Sequence, residues 1–298
     1  MGIRQGAPVP VPSRPPVLVL ARDHLGGKVG GQMVRVGRGA YLPPGDWTSR
    51  QIALATIAGV HEQMEAPHCF SHESAALLWG LHVWEVPSVV HVRTTTAGGQ
   101  STVVRRHRGV LPPETTTEIN GLPVTTLAQT VVDCARTLSA IPALVVADEA
   151  LRAGLVRDDA CDLLDACRGR GVRRAQAVLR YGDGGAESPW ETATRAVLLR
   201  GGLPVPTTQV RVVTRLGPVW ADMAIPEWRL LVEFDGRSKY TDSDVLFDEK
   251  RRGDALAEHG SLLRVTAPDH HNPHTIVTRA LQYAPPGFRP TPRPELMY

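Results

Sequence analysis

Lysine is nearly missing from this sequence. Of its 33 basic residues only Lys28, Lys239 and Lys250 are lysine, and the rest are arginine. Set against 30 acidic residues, this leaves a formal net charge of +3, too little for a large field over the whole surface. Cysteine is scarce: Cys69, Cys134, Cys161 and Cys167 occur with no CxxC spacing. A zinc site is therefore not expected, nor is a disulfide framework in so long a chain. The thiols are expected to be reduced, in a cytoplasmic protein. Long apolar runs are also lacking. The longest near the start is VLVLA, residues 17–21, too short for a membrane span or a signal-peptide core, so no membrane partner is expected. What remains is globular composition, 42% hydrophobic and 21% charged over 298 residues, enough for two domains.

Residues 1–16 carry five prolines and read as a disordered or extended arm. Residues 31–45 suit a β-hairpin, and helices are predicted over 48–64, 71–81 and 125–138, with strands over 88–93 and 102–106 between them. Further helices are predicted between 141 and 181, so 17–181 reads as an α+β domain. The glycine-rich YGDGGAES, residues 181–188, reads as a boundary. After it the expected order is a helix over 188–200, strands over 208–214, 218–225 and 228–235, a helix over 244–260, a strand over 261–267 and a helix near 273–283. Ser188, Pro189 and Glu191 form a capping-box signature for the first of these. A proline-rich tail, 284–298, follows.

A meander followed by a crossover helix gives a mixed sheet flanked by helices, so the fold class is α/β. In such a sheet Asp222 lies towards the end of the second strand, and Glu233 and Asp235 at the end of the third. Residues two apart in a strand share a face, so Glu233 and Asp235 project together. Carboxylates gathered on one side call for a hard cation, Mg²⁺ or Mn²⁺, which could activate water against a phosphodiester. Lys239 or Lys250 could face the phosphate. The alternative for Glu233 and Asp235 is a solvated strand-end turn at Asp-Gly. Glu191 has an alternative as a capping residue.

These residues carry a resemblance. ESPWE, GLPVPTTQV, ADMAIPEWRLLVEFDG and DEKRRGDALAEHG with LLRVTAPD, all within 187–283, are similar to the very-short-patch-repair-endonuclease-like branch of the PD-(D/E)xK nuclease superfamily. The resemblance implies a restriction-endonuclease-like domain. It places Glu191, Asp222, Glu233 and Asp235 at acidic catalytic positions, with Asp222, Glu233 and Asp235 as metal ligands. Gln209, Lys250 and Arg252 fall at family-like positions, and Arg252 is expected on nucleic acid. The superfamily's lysine position, two after Glu233, is Asp235 here. VRVGRGAYLPP, FSHESAALLWGL and GLPVTTLAQTVVDCAR resemble the N-terminal region of abortive-infection (AbiEi-type) antitoxins. That resemblance implies an antitoxin-like domain with a winged-helix start, here degenerate because ARDHLGGKVGG replaces its helices. It also implies a cognate toxin as partner.

Two basic clusters, RRHR at 105–108 and RGRGVRR at 168–174, offer Arg105, Arg106, Arg108, Arg173 and Arg174 to nucleic acid, DNA before RNA. Ordinary surface arginine is the alternative. SHESAA lacks the context of a nucleophile elbow, and His72 beside a helix cap reads as structural. HHNPH, residues 270–274, lacks convincing ligand spacing. The sequence thus leaves two readings open: a metal-dependent endonuclease, and a non-catalytic antitoxin or transcriptional regulator.

Overall fold

Arg38 and Gly39 form the tight turn of a small hairpin, β2 (Val34–Gly37) with β3 (Ala40–Leu42). Gly39 supplies the left-handed backbone, φ 66°. A short β1 (Val19–Leu20) pairs with β3 on its other side. Helix α1 (Ser49–His61) begins at a capping box in which Thr48 and Gln51 satisfy each other's backbone amides. Its Ala55 packs on Val36, Ala40 and Leu42, whereas Leu54, Ile57 and Val60 point into a second core. The protein is described by a computed structural model over residues 9–24, 32–96, 101–109, 112–236 and 251–297.

That second core lies under a five-stranded sheet of order β6-β5-β4-β8-β7. Its strands are β4 (Cys69–Phe70), β5 (Val90–Thr94), β6 (Val104–Arg108), β7 (Thr116–Ile119) and β8 (Leu122–Thr125). β5 with β6 and β4 with β8 are parallel pairs; the others are antiparallel. Asn120 and Gly121, both left-handed at φ 51° and 81°, turn β7 into β8. Asn-Gly is the favoured pair for that turn. Helix α2 (His72–Leu78) covers the sheet. Helices α3 (Leu127–Thr137), α4 (Ala140–Arg152), α5 (Arg157–Asp165) and α6 (Val172–Tyr181) form a bundle around Val131, Leu144, Leu164 and Val178.

The C-terminal order is as expected. Helix α7 (Pro189–Arg200) leads into β9 (Thr207–Thr214), β10 (Gly217–Ile225) and β11 (Leu230–Asp235), an antiparallel meander. A crossover that includes helix α8, described over 251–257, then delivers β12 (Ser261–Thr266) parallel to β11. The sheet order is β12-β11-β10-β9, and helix α9 (Pro273–Leu281) follows. Leu230, Val232 and Phe234 face Val197, Leu198 and Ile276 of α7 and α9, and Leu231 faces Leu256 of α8. The molecule is therefore a mixed α/β protein, with the sheet of its C-terminal half layered between helices.

Three stretches at the edges of these units are tied into the fold. Over 9–16, Ser13 donates to the Leu78 carbonyl, Asn120 donates to the Ser13 carbonyl, and Arg50 donates to the Ser13 hydroxyl. Proline-rich chain lacks a ladder of its own, so its backbone groups are satisfied by neighbours. The stretch 181–187 lies beside a buried ion pair. Arg195 of α7 pairs with Asp148 of α4 at 2.7 Å, both about 1% exposed; Arg195 also donates to the Tyr181 carbonyl, and Asp148 accepts from the Asp183 amide and Thr192. The proline-rich residues 284–297 are anchored as well. Leu296 is buried in the helical core, and Arg293 donates to the Leu199 carbonyl. Helix α7 accordingly serves both halves: Ala196 and Leu199 belong to the bundle core, Val197 and Leu198 to the sheet core.

Candidate functional site

Glu191 stands three residues into α7, where the cap geometry fixes it. Ser188 Oγ accepts from the Glu191 amide and donates to Glu191 Oε1 at 2.8 Å. Glu191 Oε2 accepts from the Glu187 amide at 2.9 Å. The capping role is thus real, and it holds the carboxylate at the sheet. Glu191 is buried, and that burial together with the charge of Asp222 pushes its carboxyl up to about 7. Gln209 on β9 approaches it, Nε2 lying 3.5 Å from Oε2. Gln209 is itself left-handed, φ 50°, a conformation that costs energy in a non-glycine residue and concentrates at functional sites.

Continuing the β10–β11 register (Met223 opposite Val232) by one residue sets Asp222 across from Glu233. The two carboxylates have different occupations. Asp222 Oδ2 accepts from the Phe234 amide at 2.8 Å. Glu233 is buried and its Oε1 lies 2.9 Å from an Arg252 guanidinium nitrogen. The same nitrogen donates to the Trp220 carbonyl at 2.5 Å. Asp235 ends β11, opposite Thr266 and half-buried. Phe234, on the other face, stacks on Trp190 of α7 with ring centroids 5.3 Å apart and planes 3° apart.

The structure therefore brings Glu191, Gln209 and Asp222 together, and brings Arg252 to Glu233. It does not gather Asp222, Glu233 and Asp235 around one point. Among the described residues one group of three His, Cys, Asp or Glu side chains has ligand atoms all within 4.8 Å of one another, and that group is not these acids. Asp222 accepts from a backbone amide and Glu233 faces a guanidinium, and their oxygens and those of Asp235 are not all within 4.8 Å of one another. Lys239 and Lys250 lie outside the described residues.

Of the arginines expected on nucleic acid, Arg105 and Arg108 are exposed on the edge strand β6, and Arg106 is half-buried. Arg173 is exposed at the start of α6. Arg174 is committed elsewhere: its guanidinium donates to the carbonyls of Ala135 and Arg136, closing the end of α3. Arg252 is turned inward onto Glu233.

The group the sequence reading passed over is His72, His91 and His107. His91 on β5 stands opposite Arg105, and His107 on β6 opposite Arg93, so all four share one face of the sheet. His72, the first residue of α2, stacks on His107 with centroids 3.7 Å apart. The one signal in the chain was the alternation of HVR and RRHR, which puts basic side chains on one face of each strand.

The chain is 30% identical over 235 residues to the uncharacterized protein MT2308 of Mycobacterium tuberculosis (strain CDC 1551 / Oshkosh), across 77% of this chain and 83% of that protein. The uncharacterized protein Rv2248 of Mycobacterium tuberculosis (strain ATCC 25618 / H37Rv) is 30% identical over the same share of each. The chain belongs to the family of these mycobacterial proteins. No family model matches it, and no solved structure does.

Proposed function

We propose that the protein is a nucleic-acid-binding regulator of the antitoxin type, in which a restriction-endonuclease-like domain serves as scaffold without turnover. The observation that carries this reading is the Arg252–Glu233 ion pair at 2.9 Å. A guanidinium sits on the carboxylate that a hydrolytic site would need for its metal, and Asp222 is engaged by the Phe234 amide. The absence of lysine at position 235 agrees with it. Nucleic acid is favoured by the exposed Arg105 and Arg108 along an edge strand and by Arg173 on the bundle. The resemblance of the N-terminal half to antitoxins supports a cognate toxin as the protein partner. The cytoplasm is the compartment that suits such a role. Among the described residues no helix is long and apolar enough to cross a membrane.

A second reading, Mg²⁺-dependent phosphodiester hydrolysis, is favoured by the buried Glu191 beside Asp222 and by the left-handed Gln209 next to them. One experiment separates the two. Labelled duplex DNA and RNA are titrated with the purified chain at low salt, and plasmid DNA is incubated with it in Mn²⁺. Binding without cleavage supports the regulator. Cleavage by the wild type that disappears in Glu233→Gln overturns it in favour of the hydrolase. Failure to bind either nucleic acid at low salt removes both readings.

A further inference from the structure

We propose that His72, His91 and His107 form a binding site for an imidazole-preferring divalent transition metal ion, Zn²⁺ in the first instance, with its open coordination position toward a cavity between the N-terminal sheet and the helical bundle. Three features of the structure bear on this site.

The first is the geometry of the nitrogens. His107 Nε2 and His91 Nδ1 are 3.1 Å apart. Two nitrogens bound to one tetrahedral Zn²⁺ at about 2.0–2.1 Å stand about 3.3 Å apart, so a small shift replaces the shared proton by a metal. The third imidazole, His72, lies over the pair with its ligand atom within 4.8 Å of both others. His72 Nδ1 is 2.9 Å from Ser71 Oγ, and Asp133 Oδ2 is 3.9 Å away on that side. A hydrogen bond from Nδ1–H to the serine hydroxyl leaves Nε2 with its lone pair. Metal-binding histidines are oriented by an outer partner of this kind. The left-handed backbone of His72, φ 54°, is the strained element that sets the ring over its partners.

The second is the charge around the ring nitrogens. Arg93 and Arg105 stand on the same face of the sheet as His91 and His107. The arginines oppose a cation, but each has an acid in range. Arg93 forks onto Asp133, which also accepts from Gln129 at 2.8 Å. Arg105 acts on Glu73.

The third is Glu73 and the opening. Glu73 Oε2 lies 3.6 Å from His91 Nδ1 and, though buried, has no hydrogen-bond partner. A buried carboxylate oxygen without a hydrogen bond is costly, and a metal at the histidines would add to the Arg105 charge that already acts on it. Glu73, His91 and Arg105 also line a cavity of about 790 Å³, together with Trp84, Ser139 and Arg200, which gives an ion a way in and leaves room for a water or anion as the remaining ligand. The all-nitrogen donor set selects Zn²⁺, Co²⁺, Ni²⁺ or Cu²⁺ over Mg²⁺. The site is thus separate from the acids at β10 and β11, and does not depend on the reading given to them.

The test uses the full chain, freed of any histidine tag and of metal by chelator dialysis. Zn²⁺ alone is titrated calorimetrically, and Co²⁺ alone is followed by visible absorption. One Zn²⁺ per chain and the intense bands of four-coordinate Co²⁺ are expected. His107→Gln, on a half-buried edge-strand residue where folding is retained, and Glu73→Gln are compared with His61→Gln, which sits outside the cluster. His107→Gln is expected to weaken Zn²⁺ at least tenfold and to remove the Co²⁺ bands, whereas His61→Gln changes neither. Zn²⁺ binding that survives His107→Gln undiminished overturns the proposal, as does a wild type that takes up neither ion at micromolar concentration.

Discussion

Arg195 and Asp148 meet as a fully buried ion pair, 2.7 Å apart, and by doing so fasten the helix that opens the C-terminal sheet unit to the bundle of the N-terminal one. Removing one partner of such a pair strands the other charge, at about 3–5 kcal/mol, whereas replacing both by apolar groups of similar volume is often neutral. Arg195→Met should therefore destabilise by that amount, and Arg195→Met with Asp148→Leu should recover only part of it, because the Asp183 amide, the Thr192 hydroxyl and the Tyr181 carbonyl lose partners too. Chemical denaturation of the two variants decides the matter. A single variant as stable as wild type would show that the two units are held by other contacts.

Glu233→Gln tests the second ion pair. On the sequence alone, relief of repulsion between Glu233 and Asp235 is expected to raise the melting temperature. The structure reverses the sign, because Glu233 faces Arg252 at 2.9 Å. Losing an ion pair with one partner a third exposed costs about 0.2–1 kcal/mol. The melting temperature of Glu233→Gln should fall without metal; a rise would mean that Arg252 does not hold this position in solution.

Glu191 makes stability depend on pH. Its carboxyl is raised from 4.5 to about 7 in the folded chain, so between those values the folded state binds more protons than the unfolded one. The contribution is present in full below about pH 4.5 and is lost as pH rises through about 7. At about 1.4 kcal/mol per pH unit, the wild type should lose a few kcal/mol from this group between pH 5 and 8. Glu191→Gln should flatten that part of the profile in urea melts taken at each pH. An equal slope in both proteins would place the titration elsewhere.

Arg105 and Arg108 are exposed on β6. If each neutralises one phosphate, changing both to Gln should reduce the slope of log affinity against log salt by about 2 for duplex DNA. Arg174→Gln should instead lower stability, through the carbonyls of Ala135 and Arg136 that it closes, with little effect on the slope. A slope that follows Arg174 rather than Arg105 would move the binding face to the bundle.

Much of the fold was legible in the chain. Apolar periodicity and capping residues located the helices at 49–61, 127–137 and 189–200, and alternation located the meander of β9, β10 and β11, because these depend on local geometry that a few residues carry by themselves. The turn of β7 into β8 is carried by Asn120-Gly121, a local signal of the same kind. The two-residue spacing of Glu233 and Asp235 fixed their common face. What the sequence alone could not determine is which partners those faces meet. Asp222 bonded to an amide, Glu233 to Arg252, and three histidines from one helix and two strands converging beside Glu73 all come from contacts between residues 12 to 35 positions apart or more. Such contacts depend on register and crossover, which the pattern of a single strand does not encode. The sequence decided which groups carry charge and which elements carry them; only the tertiary structure decided that Glu191 meets Asp222, that Glu233 meets Arg252 and that the histidines are gathered.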